Sequence, residues 1–355
     1  MMPTVILLLQ QKLPIPWSAF IGLLSLTASW IIYQSSQISA VKILASKHFM
    51  LLITITAYLY ILYALIQAWD LRFFDSERLF PVWSGLTADF TGPLLQRNFE
   101  GLFQVLATTI ILFHASKQTR PLLLIVAIIP MMGVLLTNSR SSILLLLLVC
   151  FLFAFLYRNK RFFLSAFALS FSTAFLLTLL VNYVGIIESN AISSNHLTSP
   201  FQRFSSGGIE DRLAIWSIAI DLIREHPILG IGWQNMPAYA VDSSLRIIQE
   251  SPSLANAISS VTHIANSFSH NVILEFTMSF GIMGLAAIGI IIYHFWSQRT
   301  LMPYGLCHHQ ATSLGNLLAL IIFLHSMVSV SITQPFFMIL FAFFLAAGTA
   351  KEHVT

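Results

Sequence analysis

Low-charge, apolar runs recur along the chain at about residues 17–34, 49–69, 98–115, 121–137, 143–157, 162–186, 271–295, 312–331 and 335–350. A helix needs about 20 predominantly apolar residues to cross a hydrocarbon core, so this pattern predicts nine spans. The apolar start, Thr4 to Leu9, is too short to cross as a helix and reads as a re-entrant piece or the remnant of a tenth span. The expected fold class is an all-α polytopic membrane protein of about 9–10 transmembrane helices, forming one integral membrane domain over residues 1–355. Two connections are long, about 70–97 and 187–270, and the others are short.

Composition turns this pattern into an exclusion. Only 9% of the 355 residues are charged, against about 25% in an ordinary soluble domain, and 57% are hydrophobic. A soluble surface cannot be built from that. Threading the runs alternately places half of the 18 basic residues on one side, namely Lys42, Lys47, Lys117, Arg120, Arg158, Lys160, Arg161, Arg299 and Lys351, with Glu352 as the single acid there. The positive-inside rule makes that side cytoplasmic. Turns such as Lys117 to Arg120 and Arg158 to Arg161 leave no room for a cytoplasmic domain, so activity is expected on the outer face, where both long connections fall. The net charge of +4 then reports topology rather than nucleic-acid binding, since no run of five basic residues occurs. Cys150 and Cys307 are too few and too distant to suggest a disulfide framework or metal site. The N-terminus shows no n-region and cleavage site, so the first spans are expected to do the targeting.

The 187–270 connection is the informative part. Loops beyond about 15 residues in a compact architecture are usually functional or disordered, and Trp216, Trp233, Tyr239 and many aliphatics argue against disorder. Within it, Asp211 to His226 reads as a helix with Leu213, Trp216, Ile220 and Ile223 on one stripe and Ser217, Asp221, Arg224 and Glu225 opposite, suited to the membrane surface. Pro227, Gly230 and Gly232 end it and turn the chain. The uncharged stretch Ser251 to Ser269, around His263, is a hypothetical lid over a cleft. No internal repeat of the transporter kind is present.

Four constellations can carry chemistry, each beside a plainer reading. Arg140, in Asn138-Ser139-Arg140-Ser141-Ser142 at a span end, is either an arginine snorkelling to headgroups or an anion clamp whose guanidinium forks onto phosphate oxygens. Arg212, in the first turn of the surface helix, is either paired locally with Glu210 or Asp211, or binds an anion beside free backbone N–H groups. His270-Asn271 enters the span that holds Glu275 one turn inside. These residues either satisfy a helix start or form a site in which His270 has the intrinsic pKa of a general base. Neighbouring arginines would keep that imidazole neutral, and a bound pyrophosphate would pull the other way. Asp75-Ser76-Glu77 has a spacing that can hold a divalent metal, but flanking Arg72 and Arg78 favour a solvated charged turn. No His-Glu zinc motif, Gly-rich nucleotide loop or Gly-x-Ser-x-Gly elbow occurs.

Several motifs share one order. Asn138 to Ser142 heads a span, and Asp211-Arg212-x-x-x-Trp216 runs into Glu225-His226-Pro227-Ile228-Leu229-Gly230-Ile231-Gly232-Trp233. Ser269-His270-Asn271-x-x-Leu274-Glu275 then precedes Gly281-x-x-Gly284. Over about residues 85–300 this order resembles the O-antigen ligase and O-antigen polymerase superfamily. Gly92 to Asn98, with its Gln96-Arg97-Asn98, and the Gly232-Trp233 pair look more like its pilin O-oligosaccharyltransferase branch. The resemblance implies a C-type glycosyltransferase-like helical fold with one large periplasmic loop containing surface helices. It further implies transfer of a glycan from undecaprenyl pyrophosphate, in the bacterial inner membrane, to an acceptor glycolipid, glycan or protein on the periplasmic side, with no metal and no cofactor.

By the same resemblance Arg140 and Arg212 correspond to pyrophosphate-binding arginines and His270 to the histidine that activates the acceptor hydroxyl. Gln96, Arg97, Asn98, Trp216, Gly232, Trp233, Asn271 and Glu275 are the expected substrate-binding residues. The chain is shorter than most relatives, with fewer spans at the N-terminus and little after the last, which points to a small or lipid-embedded acceptor or an incomplete chain.

The chemistry suits those residues. A pyrophosphate donor already carries its activation, so the enzyme needs charge stabilisation for the leaving diphosphate and a base for the attacking hydroxyl. A lipid-linked donor enters sideways from the membrane lipids, which suits a surface helix bearing Trp216. In the absence of a carboxylate nucleophile, inversion at the sugar carbon is expected. A transporter or lipid flippase would also have many spans, but its ionisable groups would sit near the bilayer midplane on broken helices. A noncatalytic envelope scaffold is the third reading. Ligase, polymerase and protein oligosaccharyltransferase share a donor and differ in acceptor.

Overall fold

The structure is a computed structural model and describes residues 17–35, 37–73, 94, 96–118, 122–137, 139–156, 165, 167–179, 208–233, 235–255, 258, 269–297, 310–329 and 331–350. Every regular element among them is helical. In the first half these are α1 (Trp17–Ser35), α2 (Gln37–Ala45), α3 (Lys47–Phe73), α4 (Arg97–Gln118), α5 (Leu122–Val126), α6 (Ile128–Leu136), α7 (Arg140–Leu156) and α8 (Phe167–Leu179). In the second half they are α9 (Gly208–Glu225), α10 (Met236–Glu250), α11 (Val272–Phe280), α12 (Ile282–Ser297), α13 (Gln310–Ser329) and α14 (Pro335–Thr349). Short 3-10 turns cover Pro252–Leu254 and Ser331–Thr333.

Where the structure describes them, the apolar runs of the sequence fall on helix, and the described helices are shorter and more broken than nine uniform spans. Among the described residues two stretches are long and apolar enough to cross a membrane, Lys47–Ile66 and Thr312–Ser329. Leu123–Leu136, Arg140–Phe153, Phe167–Leu179, Ile282–Ser297 and Pro335–Thr349 are shorter apolar helices. Thr4 to Leu9, Asp75 to Glu77, His263, Cys307 and most of the expected lid lie outside the described residues. The chain forms two compact units, one from Met1–Ile38, Ser206–Leu301 and Gly315–Thr355, the other from Ser39–Ser205 and Met302–Leu314.

The second unit is organised by α4. Its buried side carries Glu100, Gln104 and Thr108, one helical turn apart. These groups are partly bonded within and between helices, while Glu100 Oε2 and Gln104 Oε1 have no hydrogen-bond partner among the described residues. The Gln104 amide donates to Glu100 Oε1 at 2.8 Å and to the Ala57 carbonyl of α3 at 3.2 Å, and the Thr108 hydroxyl donates to the Gln104 carbonyl at 2.8 Å. Gly101 lets α4 and α7 approach closely, since a Cβ there would meet Ser142 Oγ at 2.5 Å. Tyr58 of α3 donates to the Val126 carbonyl at 2.8 Å, at the break between α5 and α6.

The first unit is built around α9. The helix begins at Gly208, earlier than the sequence pattern predicts, so Arg212 sits in its second turn rather than its first. Three faces are distinguishable. Ala214, Ile215, Ile218, Ala219 and Leu222 are buried against Ile231, Met236, Ile247 and Met278, while Leu213 and Ile220 are exposed. The face opposite the Leu213–Ile220 stripe is thus the buried one. The polar group lies to one side, where Arg246 of α10 reaches Asp221 at 2.9 Å and Glu225 at 2.7 Å, and Ser243 donates to Asp221 at 2.6 Å. α10 is amphipathic in the same sense, with Pro237 near its start, where a missing N–H costs nothing.

Candidate active site

His270 sits on a sharp turn between Ser269 and the start of α11, at φ 55°, alone among the described non-glycine residues in having a positive φ. Three contacts impose that conformation. Asn271 caps α11, its Oδ1 accepting from Ile273 N at 2.9 Å and Leu274 N at 3.2 Å. The buried Ser269 amide donates to Glu275 Oε2 at 2.8 Å, and the Ser269 hydroxyl donates to the Asn271 carbonyl at 3.0 Å. Trp216 of α9 then donates its indole N–H to the Ser269 carbonyl at 3.0 Å, tying the turn to the helix that carries Arg212. Left-handed backbone outside glycine is uncommon and is held only where surroundings over-determine it, as here.

Electrostatics favours a neutral imidazole. Burial lowers the pKa of His270 from its ordinary value, and the Arg212 charge lowers it further. A neutral ring at pH 7 can accept a proton. Glu275 is turned inward, 1% exposed, with Oε2 on the Ser269 amide. Its Oε1 has no hydrogen-bond partner among the described residues. Glu275 and Asn271, expected to touch substrate, are therefore engaged in shaping the turn that presents His270.

The Gly232-Trp233 pair belongs to a second construction in the same unit. The chain after α9 lies along the end of α11, with Ile231 N donating to the Met278 carbonyl at 2.8 Å and Gly232 N to the Ser279 carbonyl at 3.0 Å. Gly230 has φ 68°, and a Cβ on it would meet the Met278 carbonyl oxygen at 2.5 Å, so only glycine fits. Trp233 is 2% exposed, with its ring edge-on to Phe276 at 5.6 Å and tilted on Phe280 at 5.5 Å. Its surroundings are those of a core residue.

In the other unit, Gln96, Arg97 and Asn98 open α4, and Arg140 opens α7. The structure brings these two helix starts together: Ser139 Oγ donates to Asn98 Oδ1 at 2.9 Å and receives the Ser142 hydroxyl at 2.9 Å. Arg97 and Arg140, both half-buried, are the sequence neighbours of Asn98 and Ser139. Among the described residues no group of three His, Cys, Asp or Glu side chains is placed to hold a metal ion.

The family model for O-antigen ligase matches residues 123–289. Over those residues, a little under half of its length, the chain is similar to the O-antigen ligase family. No curated protein and no solved structure matches the chain. The matched segment contains Arg140, Arg212, Trp216, Gly232, Trp233, His270, Asn271 and Glu275, while Gln96, Arg97 and Asn98 precede it. The match suggests a membrane protein of the glycosyltransferase type.

Ser269 was not singled out as a site residue by sequence reasoning, although its amide, hydroxyl and carbonyl all fix the His270 turn. The available signal was its place immediately before His270-Asn271, where a hydroxyl commonly bonds a helix start. Trp216→Phe keeps the ring and removes the donor to Ser269. It is expected to cost about 1 kcal/mol of stability, as loss of one neutral hydrogen bond does. Transfer should slow several-fold, and a wild-type melt together with a wild-type rate would show that the indole bond does not hold the turn.

Proposed function

We propose that this protein transfers a glycan from undecaprenyl pyrophosphate to an acceptor hydroxyl on the periplasmic side of the bacterial cytoplasmic membrane, without a metal or cofactor, as an O-antigen ligase does. The observation that carries the reading is the His270 turn, with a half-buried imidazole under the influence of the Arg212 charge and tied to the Arg212 helix through Trp216. In this reading His270 Nε2 or Nδ1 takes the proton of the acceptor hydroxyl as its oxygen attacks the anomeric carbon. The bond from that carbon to the pyrophosphate breaks, and the departing diphosphate is met by Arg212. Direct displacement inverts the sugar carbon. Leu213 and Ile220, exposed on α9, suit a helix at the bilayer surface where a lipid-borne donor arrives.

The test supplies a labelled undecaprenyl-pyrophosphate glycan together with lipid A core, a second carrier-linked glycan, or pilin. Label on lipid A core is the expected result, label on the second glycan would indicate a polymerase, and label on pilin a protein oligosaccharyltransferase. No transfer to any of them by folded protein would sink the enzyme reading. EDTA should leave the rate unchanged, whereas a requirement restored by added metal would move attention to Asp75 and Glu77.

The pH dependence follows from the sign of the His270 shift. Because its pKa is lowered in the free protein, kcat/KM for the donor should stay flat through neutral pH and fall only below about 6.5, the ordinary histidine value. Bound diphosphate opposes the Arg212 charge, so the acid limb of kcat should lie at higher pH than that of kcat/KM. Rate profiles with the two limbs in the reverse order would remove His270 from the role of base.

A further inference from the structure

α12 carries no Asp, Glu, Lys or Arg, and Ile282, Met283, Leu285, Ile290 and Ile292 are all exposed along it. In a chain of this composition an exposed apolar surface of that extent belongs in lipid. Yet the helix is short. At 1.5 Å per residue its 16 residues reach about 24 Å, against a hydrocarbon core of about 30 Å, and any tilt widens the shortfall.

The two ends of α12 decide where the missing depth lies. At the far end Tyr293 and Trp296 are exposed, Trp296 at 83%, and Arg299 follows three residues later. Exposed Tyr and Trp beside a basic residue mark a headgroup boundary, so that end stands at the edge of the hydrocarbon. The shortfall therefore falls at the other end, above Ile282. There the chain leaving α9 is joined to α12: Ile282 N donates to the Pro227 carbonyl at 3.0 Å, and a Cβ on Gly281 would run into the Ile228 carbonyl. Ile228 is 69% exposed beside Ile282 at 60% and Met283 at 68%, and Leu229 is exposed as well. Single exposed aliphatics are ordinary, whereas a patch of them continuous with the apolar side of a span is not. The backbone of the turn also suits a dry place. Pro227 has no N–H, its carbonyl is taken by Ile282, and Gly230 N donates to the His226 carbonyl at 3.0 Å.

We infer that Pro227, Ile228 and Leu229 form a lip embedded among the acyl chains of the outer leaflet, at a Gly281 break that lies about 6 Å or more below the hydrocarbon edge. The partner of this patch is lipid. The inference rests on the membrane and outer-face reading above, which makes the Gly281 end of α12 its outer end. It also sets the height of the reaction. From Gly281 to Asn271, its two caps, α11 rises about 15 Å at most, so Asn271, next to His270, stands no more than about 9 Å above the hydrocarbon edge. The headgroup layer is about 5–8 Å thick on each side, so the His270 turn lies in or just above it. A base held there suits a donor whose reacting bond is carried in that layer, as in a lipid-borne diphosphate.

The depth of the lip is measured on single-cysteine variants of the full chain, with Cys150→Ala and Cys307→Ala as background, labelled with a nitroxide in vesicles of phosphatidylcholine and phosphatidylglycerol. Relaxation by oxygen, which concentrates in hydrocarbon, is compared with relaxation by a water-soluble nickel chelate. Ile290→Cys on α12 is the reference for lipid, and Asp242→Cys, exposed on α10, is the reference for water. Ile228→Cys should match Ile290→Cys, with an oxygen-to-nickel ratio several-fold above that of Asp242→Cys. Leu229→Cys provides the same test if Ile228→Cys does not fold. A ratio like that of Asp242→Cys would overturn the inference and mean that the bilayer thins around a short α12 instead. Failure of the underlying reading is separately visible. A water-like ratio at Ile290→Cys would take α12 out of the bilayer, and the lip with it. Labelling of Asp242→Cys by an impermeant maleimide only after the cells are opened would overturn the outer-face reading, and with it the outer-leaflet placement.

Discussion

Replacing His270 with asparagine is expected to lower glycan transfer by about 10²- to 10⁴-fold, the usual contribution of a positioned general base, while leaving the protein folded. The choice of asparagine follows from the backbone. At φ 55° an alanine would carry a left-handed penalty of about 1–2 kcal/mol, so His270→Ala would confuse a weakened turn with a lost base. Asparagine is among the residues that tolerate this region, and it cannot act as a base. The Ser269, Asn271 and Glu275 contacts that fix the turn involve none of the His270 ring atoms and should survive. Single-turnover transfer measured beside a thermal melt gives the answer. A variant with an unaltered melt and a rate within threefold of wild type would reject His270 as the base. Arg212→Gln should cost a comparable factor but divide differently, raising the donor KM as well as lowering kcat, because the guanidinium meets the diphosphate both before and during departure. The double variant should be little worse than the poorer single one, since both residues serve one bond-breaking event.

The positions of the helices were legible in the sequence because apolar runs bounded by charge leave few alternatives. The interruptions were not. The run at 271–295 reads as one span, yet it is two helices, α11 and α12, parted at Gly281. Periodicity cannot register a break that needs no polar residue; it takes a backbone angle and a neighbouring chain, here Pro227 and Ile228, to impose one. α10 has no bounds in the sequence reading, which expects surface helices in this connection but delimits only Asp211 to His226; its signals are Pro237 and Asp242, Arg246 and Glu250 spaced four apart.

Within the site, Arg212, His270 and Trp216 could be picked out because each is a costly residue in an apolar chain. Their mutual tie through the Ser269 carbonyl could not, since a backbone acceptor leaves no mark in composition.

Gly281→Ala is expected to be strongly destabilising, costing about 3–5 kcal/mol from backbone strain of about 1–3 kcal/mol and overpacking of similar size. Gly281 has φ 59° and ψ −140°, a combination reserved for glycine. A Cβ there would also run into the backbone of Pro227 and Ile228, the carbonyl of Pro227 lying at 2.7 Å. That neighbour cannot give way, because Ile282 N donates to the same Pro227 carbonyl at 3.0 Å and the chain beyond it is bonded to α11 through Ile231 and Gly232. Gly289 of α12 provides the contrast, since a Cβ there meets nothing within 4 Å and Gly289→Ala should be neutral or stabilise by up to about 1 kcal/mol. The measurement is thermal unfolding of both variants in detergent. A loss of this size is a large fraction of the roughly 5–15 kcal/mol stability of a typical domain, so the Gly281 variant should also lose transfer, through displacement of the end of α11 whose start carries the His270 turn. Equal melts for the two variants would mean that the segment from Pro227 to Trp233 is not clamped against α11, and the rigid frame ascribed to His270 would fall with it.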